Sequence, residues 1–332
     1  MKQKNSNLLP SERVNQEVQI RRDAETNIAF GCPPEERKIQ DLINYGIVNI
    51  NKPSGPSSHL IADYVKKILN LKKTGHSGTL DPKVTGSLPV ALEDATRIVQ
   101  TLLPAGKEYV ALMRIHDTPP EEKIRKTFKK FLGKIKQLPP VRSAVKRRLR
   151  SREIYYSEIL EIKENYVLFR VGCEAGTYIR KLIHDMGLDL CSGAHMVQLI
   201  RTKAGPFKEE KWHTLQDLTD AYEVYKKENN PEPLKKIIEP FENAVKYFPK
   251  VWIMDSAVSN ICHGAPLATQ GISKLTKDVS PNTQVAILTL KGELVGLGTA
   301  KKTTKEILST NEGIAVKTEK IFMGREVYPK QK

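Results

Sequence analysis

Short apolar-rich runs recur along the chain and predict β-strands. The clearest are Tyr45 to Ile50, Glu108 to Ile115, Tyr155 to Ile162, Tyr166 to Cys173, His195 to Arg201, Val285 to Leu290 and Glu293 to Leu297. Two neighbouring pairs of these runs are joined only by the short links Lys163-Glu164-Asn165 and Lys291-Gly292. Links of this length predict antiparallel pairing, and the second is a hairpin signal.

Three helices are predicted from apolar spacing and capping residues. The first follows Ser57 or Ser58, either of which can cap it, and places Ile61 and Val65 on one face. The second runs from Thr177 to Met186, with Thr177 as its cap and Gly187 after its end. The third runs from Leu234 to Val245.

These elements predict an α+β fold with two folded parts. Residues 43–247 are expected to form a mixed, largely antiparallel sheet with flanking helices, and residues 248–326 a small β-barrel-like module. Residues 1–42 are polar and lack sustained periodicity, so they are expected to form an extension with little core of its own, and residues 327–332 a tail.

Charge changes this picture, because the formal net charge is +16. Thirteen basic and only three acidic residues lie between Glu121 and Glu153. Such an excess favours a polyanionic partner, with nucleic acid ahead of an anionic membrane. The expected phosphate-binding residues are Arg142, Lys146, Arg147, Arg148, Arg150 and Arg152.

Other classes of protein are disfavoured by what the sequence lacks. The four cysteines form no CxxC pair and the seven histidines show no metal-ligand spacing, so neither a metal site nor a cofactor is expected. No run is long enough to span a membrane, and no membrane partner is expected. The cysteine pattern favours a reducing, intracellular setting.

One loop carries the strongest candidate chemistry. The segment Gly75-His76-Ser77-Gly78-Thr79-Leu80-Asp81-Pro82 places a single carboxylate among glycines. Pro82 disfavours the helical region for Asp81, and glycine permits turns that other residues resist. We therefore expect Asp81 at a tight loop tip, where a nucleophilic or basic carboxylate is often held.

Several ordered segments resemble the TruB-type pseudouridine synthases. They are GHSGTLDPKVTGSLPV at 75–90, NINKPSGPSSH at 49–59, KEYV at 107–110, GTYIRKLIHDMG at 176–187 and GAHMVQLIRTKAGPF at 193–207. The segment at 139–162 is similar to the dyskerin-like catalytic subunit of box H/ACA ribonucleoproteins, archaeal type, and the chain after about residue 249 resembles a PUA domain. This resemblance implies an enzyme that isomerises uridine to pseudouridine in rRNA, and in tRNA in some members, in a base-flipping pocket.

The resemblance also implies roles for individual residues. Asp81 aligns with the catalytic aspartate, Tyr109 with the tyrosine that stacks on the target base, and Arg180 with the arginine that pairs with the carboxylate. The positions expected to line or support the substrate pocket are Tyr178, Lys52, His76 and Leu199. Whether Asp81 attacks the sugar, attacks the base or removes a sugar proton stays open.

The partners implied by the resemblance are a box H/ACA guide RNA, a substrate rRNA or tRNA, and small accessory proteins including a kink-turn-binding protein. Two other functions stay open, namely a stand-alone tRNA synthase acting on the TΨC-loop uridine and a non-catalytic RNA-binding scaffold. The chain shows no lysine-rich terminal tail, which favours an archaeal-type cytoplasmic protein over a nucleolar one.

Overall fold

A computed structural model describes residues 8–13, 17–139 and 146–330. Arg142, one of the expected phosphate-binding residues, lies outside these ranges. Contacts divide the described chain into two compact units. The first unit comprises residues 8–13, 48–92, 98–139 and 146–237, and the second unit comprises residues 17–47, 93–97 and 238–330.

The strands of the described residues, in chain order, are β1 (Val18–Ile20), β2 (Gly46–Lys52), β3 (Thr74–His76), β4 (Thr85–Leu92), β5 (Lys107–Ile115), β6 (Gly133–Gln137), β7 (Arg150–Lys163), β8 (Tyr166–Cys173), β9 (Ala194–Ala204), β10 (Phe207–Lys208), β11 (Ile238–Pro240), β12 (Lys250–Ile253), β13 (Leu267–Ala268), β14 (Ile272–Thr276), β15 (Gln284–Thr289), β16 (Leu294–Ala300) and β17 (Ile314–Ile321).

The α-helices of the same residues are α1 (Ile39–Asn44), α2 (Ser58–Ile68), α3 (Val99–Leu102), α4 (Glu121–Lys130), α5 (Ile179–Asp189), α6 (Leu215–Glu228), α7 (Glu232–Ile237), α8 (Asp255–Cys262) and α9 (Thr304–Ser309). Every helix in the described ranges is too short or too polar to cross a lipid bilayer.

The first unit is built on a mixed sheet with the strand order β2-β4-β9-β5-β8-β7-β6, to which β3 and β10 add at β4 and β9. The pairs β9–β5, β5–β8, β8–β7 and β7–β6 are antiparallel, whereas β4 and β9 run parallel. The predicted antiparallel pairing of β7 and β8 is confirmed, and so is the predicted fold class.

Alternation along β5 determines where the site lies. Ala111, Met113 and Ile115 are buried on one face of the sheet, and α5 covers that face. Because side chains alternate with a period of two, Tyr109 lies on the same face, beyond the covered core. The register places Leu199 of β9 opposite Ala111 and Arg201 opposite Tyr109. This end of the sheet therefore gathers side chains from two strands beside the start of α5.

The second unit is a curled sheet with the order β1-β14-β12-β15-β16-β17-β13, closed around an apolar core. Its β15–β16 hairpin confirms the turn predicted at Lys291-Gly292, where Gly292 has a φ of 90°. Positive φ is the reason that glycine suits this position.

The N-terminal segment is more structured than the expected extension. Strand β1 pairs with β14, and Phe30 packs against the core of the second unit with its ring edge on Tyr328. The Lys291 ammonium lies among the carbonyls of Asn27, Ile28, Phe30 and Gly31, all within hydrogen-bond distance of it. Residues 17–47 thus form part of the second unit. The sequence does not predict these contacts, because this segment has no periodic pattern of apolar residues.

The predicted boundaries of two helices are wrong. Helix α5 continues through Gly187 to Asp189. A side chain at Gly187 would lie 2.2 Å from the backbone nitrogen of Ala194, so glycine is needed here for close packing and does not end the helix. Thr177 is not its cap, since its hydroxyl donates to the Glu174 carbonyl. The helix predicted over Leu234–Val245 instead ends at Ile237, three residues before Pro240, which lacks the N–H that an α-helix needs.

Candidate active site

The loop between β3 and β4 presents Asp81. Gly78 and Gly86 have φ values of 125° and 103°, which favour glycine. A side chain at Gly86 would also lie 2.3 Å from the Arg201 carbonyl oxygen. The Ser58 hydroxyl donates to the Leu80 carbonyl at 3.1 Å and accepts from the Leu80 amide at 2.8 Å, so α2 holds the loop in place.

Lys52 supports this loop from behind. Its fully buried ammonium donates to the carbonyls of Pro53, Pro82 and Val84 at 2.8, 2.8 and 2.9 Å. An ammonium group has three donors, so these bonds leave none for a substrate. Burial and then the charge of Arg201 lower the pKa of Lys52. The geometry makes Lys52 a positioning residue for the segment around Asp81.

Asp81 forms an ion pair with Arg180. The Arg180 Nη2 atom lies 3.0 Å from Asp81 Oδ2, and the two side chains are 54% and 52% exposed. Arg180 belongs to the first turn of α5, where a cation opposes the helix dipole. The ion pair is thus exposed to solvent, and a third molecule can reach the Asp81 carboxylate.

Tyr109 and Arg201 lie side by side on β5 and β9. Burial raises the pKa of Tyr109, and the adjacent Arg201 guanidinium, which also hydrogen-bonds the phenol, opposes this rise. Arg201 is 1% exposed, and it donates from Nε to the Ser87 carbonyl at 2.7 Å and from Nη2 to the Gly78 carbonyl at 3.2 Å. Arg201 therefore links the phenol, β4 and the loop that presents Asp81.

These groups surround a cavity of about 590 Å³. Five of the seven side chains expected at the pocket line it, namely Asp81, Tyr109, Tyr178, Arg180 and Leu199. The cavity is open at the half-exposed ion pair and closed at the sheet, which is the shape that a flipped base requires.

His76 lies outside the lining of this cavity. It is half-buried in β3 with its ring edge-on to His59, at 4.6 Å between centroids, and its Nδ1 atom has no partner. Burial, followed by the nearby charges of His59 and Arg201, lowers the pKa of His76 to about 4. The ring is therefore neutral near pH 7.

Arg201 and Lys107 line the cavity although the sequence motifs assign a role to neither of them. The Lys107 ammonium donates to the carbonyls of Leu102, Leu103 and Ala105, at the end of α3. The position of Arg201 can be predicted from the sequence, because residues two apart on a strand point to the same face and Leu199 is expected at the pocket. The carbonyl partners of Lys107 are set by the turn after α3, and the spacing of residues in the sequence does not predict this turn.

The basic segment divides into two groups. Lys146, Arg147 and Arg148 are exposed, as a phosphate-binding surface requires. Arg152 is instead mostly covered, and its Nη1 atom donates to Glu174 Oε1 at 3.1 Å. Arg150 is half-buried in β7. No cluster of three or more potential metal ligands occurs among the described residues.

Models of four domain families match the chain. TruB family pseudouridylate synthase (N terminal domain) matches residues 66–179, and tRNA pseudouridylate synthase B C-terminal domain matches residues 180–246. A DKCLD (NUC011) domain model matches residues 7–62, and a PUA domain model matches residues 249–322.

Whole-chain similarity agrees with these matches. A Pyrococcus abyssi protein named probable tRNA pseudouridine synthase B is 56% identical over 97% of this chain and 97% of its own length. A crystal structure of a Cbf5–Nop10–Gar1 complex contains a chain with 56% identity and a TM-score of 0.92, covering 98% of this chain and 99% of that one. The structure of an H/ACA RNP bound to a substrate RNA containing 2′-deoxyuridine contains a chain with 54% identity and a TM-score of 0.92, over 98% and 99% of the two chains.

The resemblance inferred from the motifs is thereby confirmed. The chain belongs to the TruB family of pseudouridylate synthases and carries the DKCLD and PUA domains.

Proposed function

We propose that this protein isomerises uridine to pseudouridine in RNA as the catalytic subunit of a box H/ACA guide ribonucleoprotein. The observation that carries the proposal is the Asp81–Arg180 ion pair, with 3.0 Å between its charged atoms, at the mouth of the cavity that Tyr109 lines. A reactive carboxylate is held there by a cation and remains open to a substrate.

The reaction breaks the C1′–N1 bond, turns the uracil and joins C5 to C1′, with the C5 proton exchanged for a proton on N1. Arg180 pairs with Asp81 at 3.0 Å, and the reaction needs a carboxylate here whether this group attacks the sugar, attacks the base or removes a sugar proton. Tyr109 stacks on the base, with Tyr178 and Leu199 enclosing it. Stacking of this kind contributes about 1–3 kcal/mol per base.

Guidance by RNA is supported by the domains and by the solved relatives. The related chains occur in a Cbf5–Nop10–Gar1 complex and in an H/ACA RNP with substrate RNA. We propose the same kinds of partner here, namely an H/ACA guide RNA, a substrate rRNA and small accessory proteins including a kink-turn-binding protein. The PUA domain holds the ACA end of the guide, and pairing with the guide selects the uridine.

The test is tritium release from RNA labelled at C5 of the target uridine. We expect release from an rRNA target when the guide and the accessory proteins are present, and none when the guide is left out. Guide-independent release from the same rRNA target would contradict the guided function. Guide binding without any release would identify a scaffold that binds RNA and does no chemistry.

A stand-alone tRNA activity is the second candidate, because the curated relatives carry the name probable tRNA pseudouridine synthase B. The same assay distinguishes it when a TΨC-loop tRNA is offered without guide RNA. Release from this tRNA would establish the second activity, and guide dependence on rRNA would still decide the first.

We further propose that Lys146, Arg147 and Arg148 contact RNA phosphates. All three are exposed, and Arg152 is the internal contrast, because Glu174 already pairs with it. Replacing the three by glutamine should lower the slope of log affinity against log salt by about 0.7–0.9 for each phosphate that the protein no longer neutralises. Arg152→Gln should change this slope less, and equal slopes in all variants would refute the assignment.

We propose that a catalytic domain at 43–247 meets a PUA domain at 248–326, because two family models meet between residues 246 and 249. The compact second unit is larger than this PUA domain and also takes in residues 43–47 and 238–247. We propose the cytoplasm as the compartment, because the relatives above include an archaeal protein.

A further inference from the structure

Three buried basic groups lie around the catalytic cavity. Lys52, Lys107 and Arg201 are 0%, 6% and 1% exposed. Burial lowers the pKa of Lys107 to about 7, and the charge of Arg201 acts in the same direction on both lysines. Arg201 is therefore close enough to repel each of the two lysines.

Among the described residues no salt bridge involves Lys52, Lys107 or Arg201, although the Asp81 carboxylate is near enough to attract Lys52. Lys52 and Lys107 each donate to three backbone carbonyls. Arg201 contacts the carbonyls of Gly78 and Ser87 and the hydroxyl of Tyr109. Dipoles satisfy these donors, but they leave the net charge in place.

Arg201 is the most unusual of the three, because a guanidinium does not lose its proton in a protein. A buried charge without a counter-ion is expensive, and removing its repulsion with the two lysines would stabilise the fold. Arg201 nevertheless lines the cavity at the wall next to Tyr109. A fixed cation at the wall of a closed pocket favours negative charge that develops inside the pocket.

The proposed reaction develops such a charge. When the C1′–N1 bond breaks, its electron pair stays on N1 and spreads to the two carbonyl oxygens of uracil, so the base becomes an anion. In the two routes in which Asp81 acts on the sugar, it compensates the electron-poor C1′, either by bonding to it or by taking the neighbouring C2′ proton. When C5 then bonds to C1′, the pair returns to the sugar, Asp81 is released or gives its proton back, and C5 loses a proton while N1 gains one.

We propose that Arg201 stabilises the detached uracil anion. This inference rests on the pseudouridine synthase function proposed above. It assigns to Arg201 a part of the reaction that Arg180 does not perform, since Arg180 pairs with the carboxylate at the mouth of the cavity.

The test compares two leaving groups in the wild-type protein and in two Arg201 variants. Arg201→Met removes the charge at similar volume, and Arg201→Lys retains it. Single-turnover loss of the target nucleoside is measured in the complete guide complex, on substrate RNA with uridine or 5-fluorouridine at the target. Fluorine withdraws electrons and makes the base a more stable anion, so it needs less help from Arg201.

We expect Arg201→Met to slow the loss of uridine by about 10²–10³-fold, as the loss of one oxyanion-stabilising donor does. Arg201→Met should slow the loss of 5-fluorouridine by a smaller factor. Arg201→Lys should keep a ratio of 5-fluorouridine rate to uridine rate close to that of the wild type. RNA affinity should change little. If Arg201→Met does not fold, Arg201→Gln provides the neutral variant for the same comparison.

Equal defects on the two nucleosides would overturn the inference, because a purely structural role slows both reactions alike. Wild-type protein that forms no pseudouridine in the complete complex would overturn the proposed function, and this inference with it.

Discussion

Arg180 with Asp81 and Arg37 with Glu242 are the same chemical pair in two settings. The first pair joins one atom of each group at 3.0 Å, and both side chains are about half exposed. The second is bidentate, with Nη1 and Nη2 of Arg37 at 2.8 and 2.6 Å from the two Glu242 oxygens. Both of its members are buried.

The surroundings of the buried pair account for this difference. The Arg37 guanidinium lies over the rings of Tyr45 and Phe241, and Glu242 also accepts the amide of Leu294. All of this lies within the second unit. The fork of Arg37 occupies both carboxylate oxygens, so that carboxylate is not available to a ligand.

The comparison teaches that geometry separates a pair that stabilises the fold from a pair that leaves its carboxylate open to a substrate. A buried bidentate pair holds the chain together, and removing one partner leaves a charge without compensation. An exposed single contact contributes little to stability. What the open pair retains is a carboxylate that a substrate can reach.

Removing the Asp81 carboxylate is the largest expected effect. Asp81→Asn should lower pseudouridine formation by about 10²–10⁴-fold or more, because the reaction loses its charged group. The unfolding temperature and guide RNA binding should stay close to wild type, since this side chain is half exposed. The measurements are tritium release and thermal unfolding on the same preparation.

The matched control is Asp63→Asn. Asp63 also pairs with basic side chains, Lys66 and Lys67, on the surface of α2, where no substrate is expected. It should retain wild-type turnover. Wild-type turnover in Asp81→Asn itself would remove Asp81 from the reaction and end the contrast between the two arginine pairs.

Breaking the buried pair should have the opposite signature. Glu242→Ala leaves Arg37 buried without a counter-charge, and the expected cost is about 3–5 kcal/mol in the free energy of unfolding. Urea denaturation measures it. The double variant Arg37→Met with Glu242→Leu should recover much of this loss, because the buried charge is removed with its partner. A single variant as stable as wild type would show that the buried pair does not stabilise the fold.

A smaller effect concerns His76, which is partly buried without a charged partner. Its pKa is lowered from 6.5 to about 4, so the unfolded chain binds a proton more readily within that interval. The unfolding free energy contributed by this group is therefore present above pH 6.5 and is lost as the pH falls toward 4. His76→Gln should flatten this part of the stability profile. An unchanged slope in the variant would assign the acid sensitivity to other groups.

Much of the fold follows from local patterns. Ser57 caps the predicted first helix, as its hydroxyl accepts the Leu60 amide, and the two predicted antiparallel pairings are present. The end of α5 was missed because Gly187 faces Gly193 and Ala194 across a turn. A glycine needed for close packing and a glycine that ends a helix look alike in one sequence.

The site was predictable to the extent that it lies in recognisable motifs. Asp81, Tyr109 and Arg180 meet at the cavity as the resemblance implies, although they come from separate segments. The different settings of Lys52 and Lys107 depend on which carbonyls surround each ammonium, and a sequence does not reveal carbonyl positions. Alternation along β9 also predicts that Arg201 lies on the same face of the strand as Leu199.

The enclosure of Lys52 has a consequence for measuring motion. An amine with no exposed surface and three carbonyl partners cannot react with an acylating reagent until the segment carrying Pro82 and Val84 lifts away. The labelling rate of this one lysine, measured by mass spectrometry, therefore reports how often the loop that carries Asp81 opens. Bound RNA that keeps the loop closed would lower the labelling rate of Lys52, and the measurement does not require the enzyme to turn over.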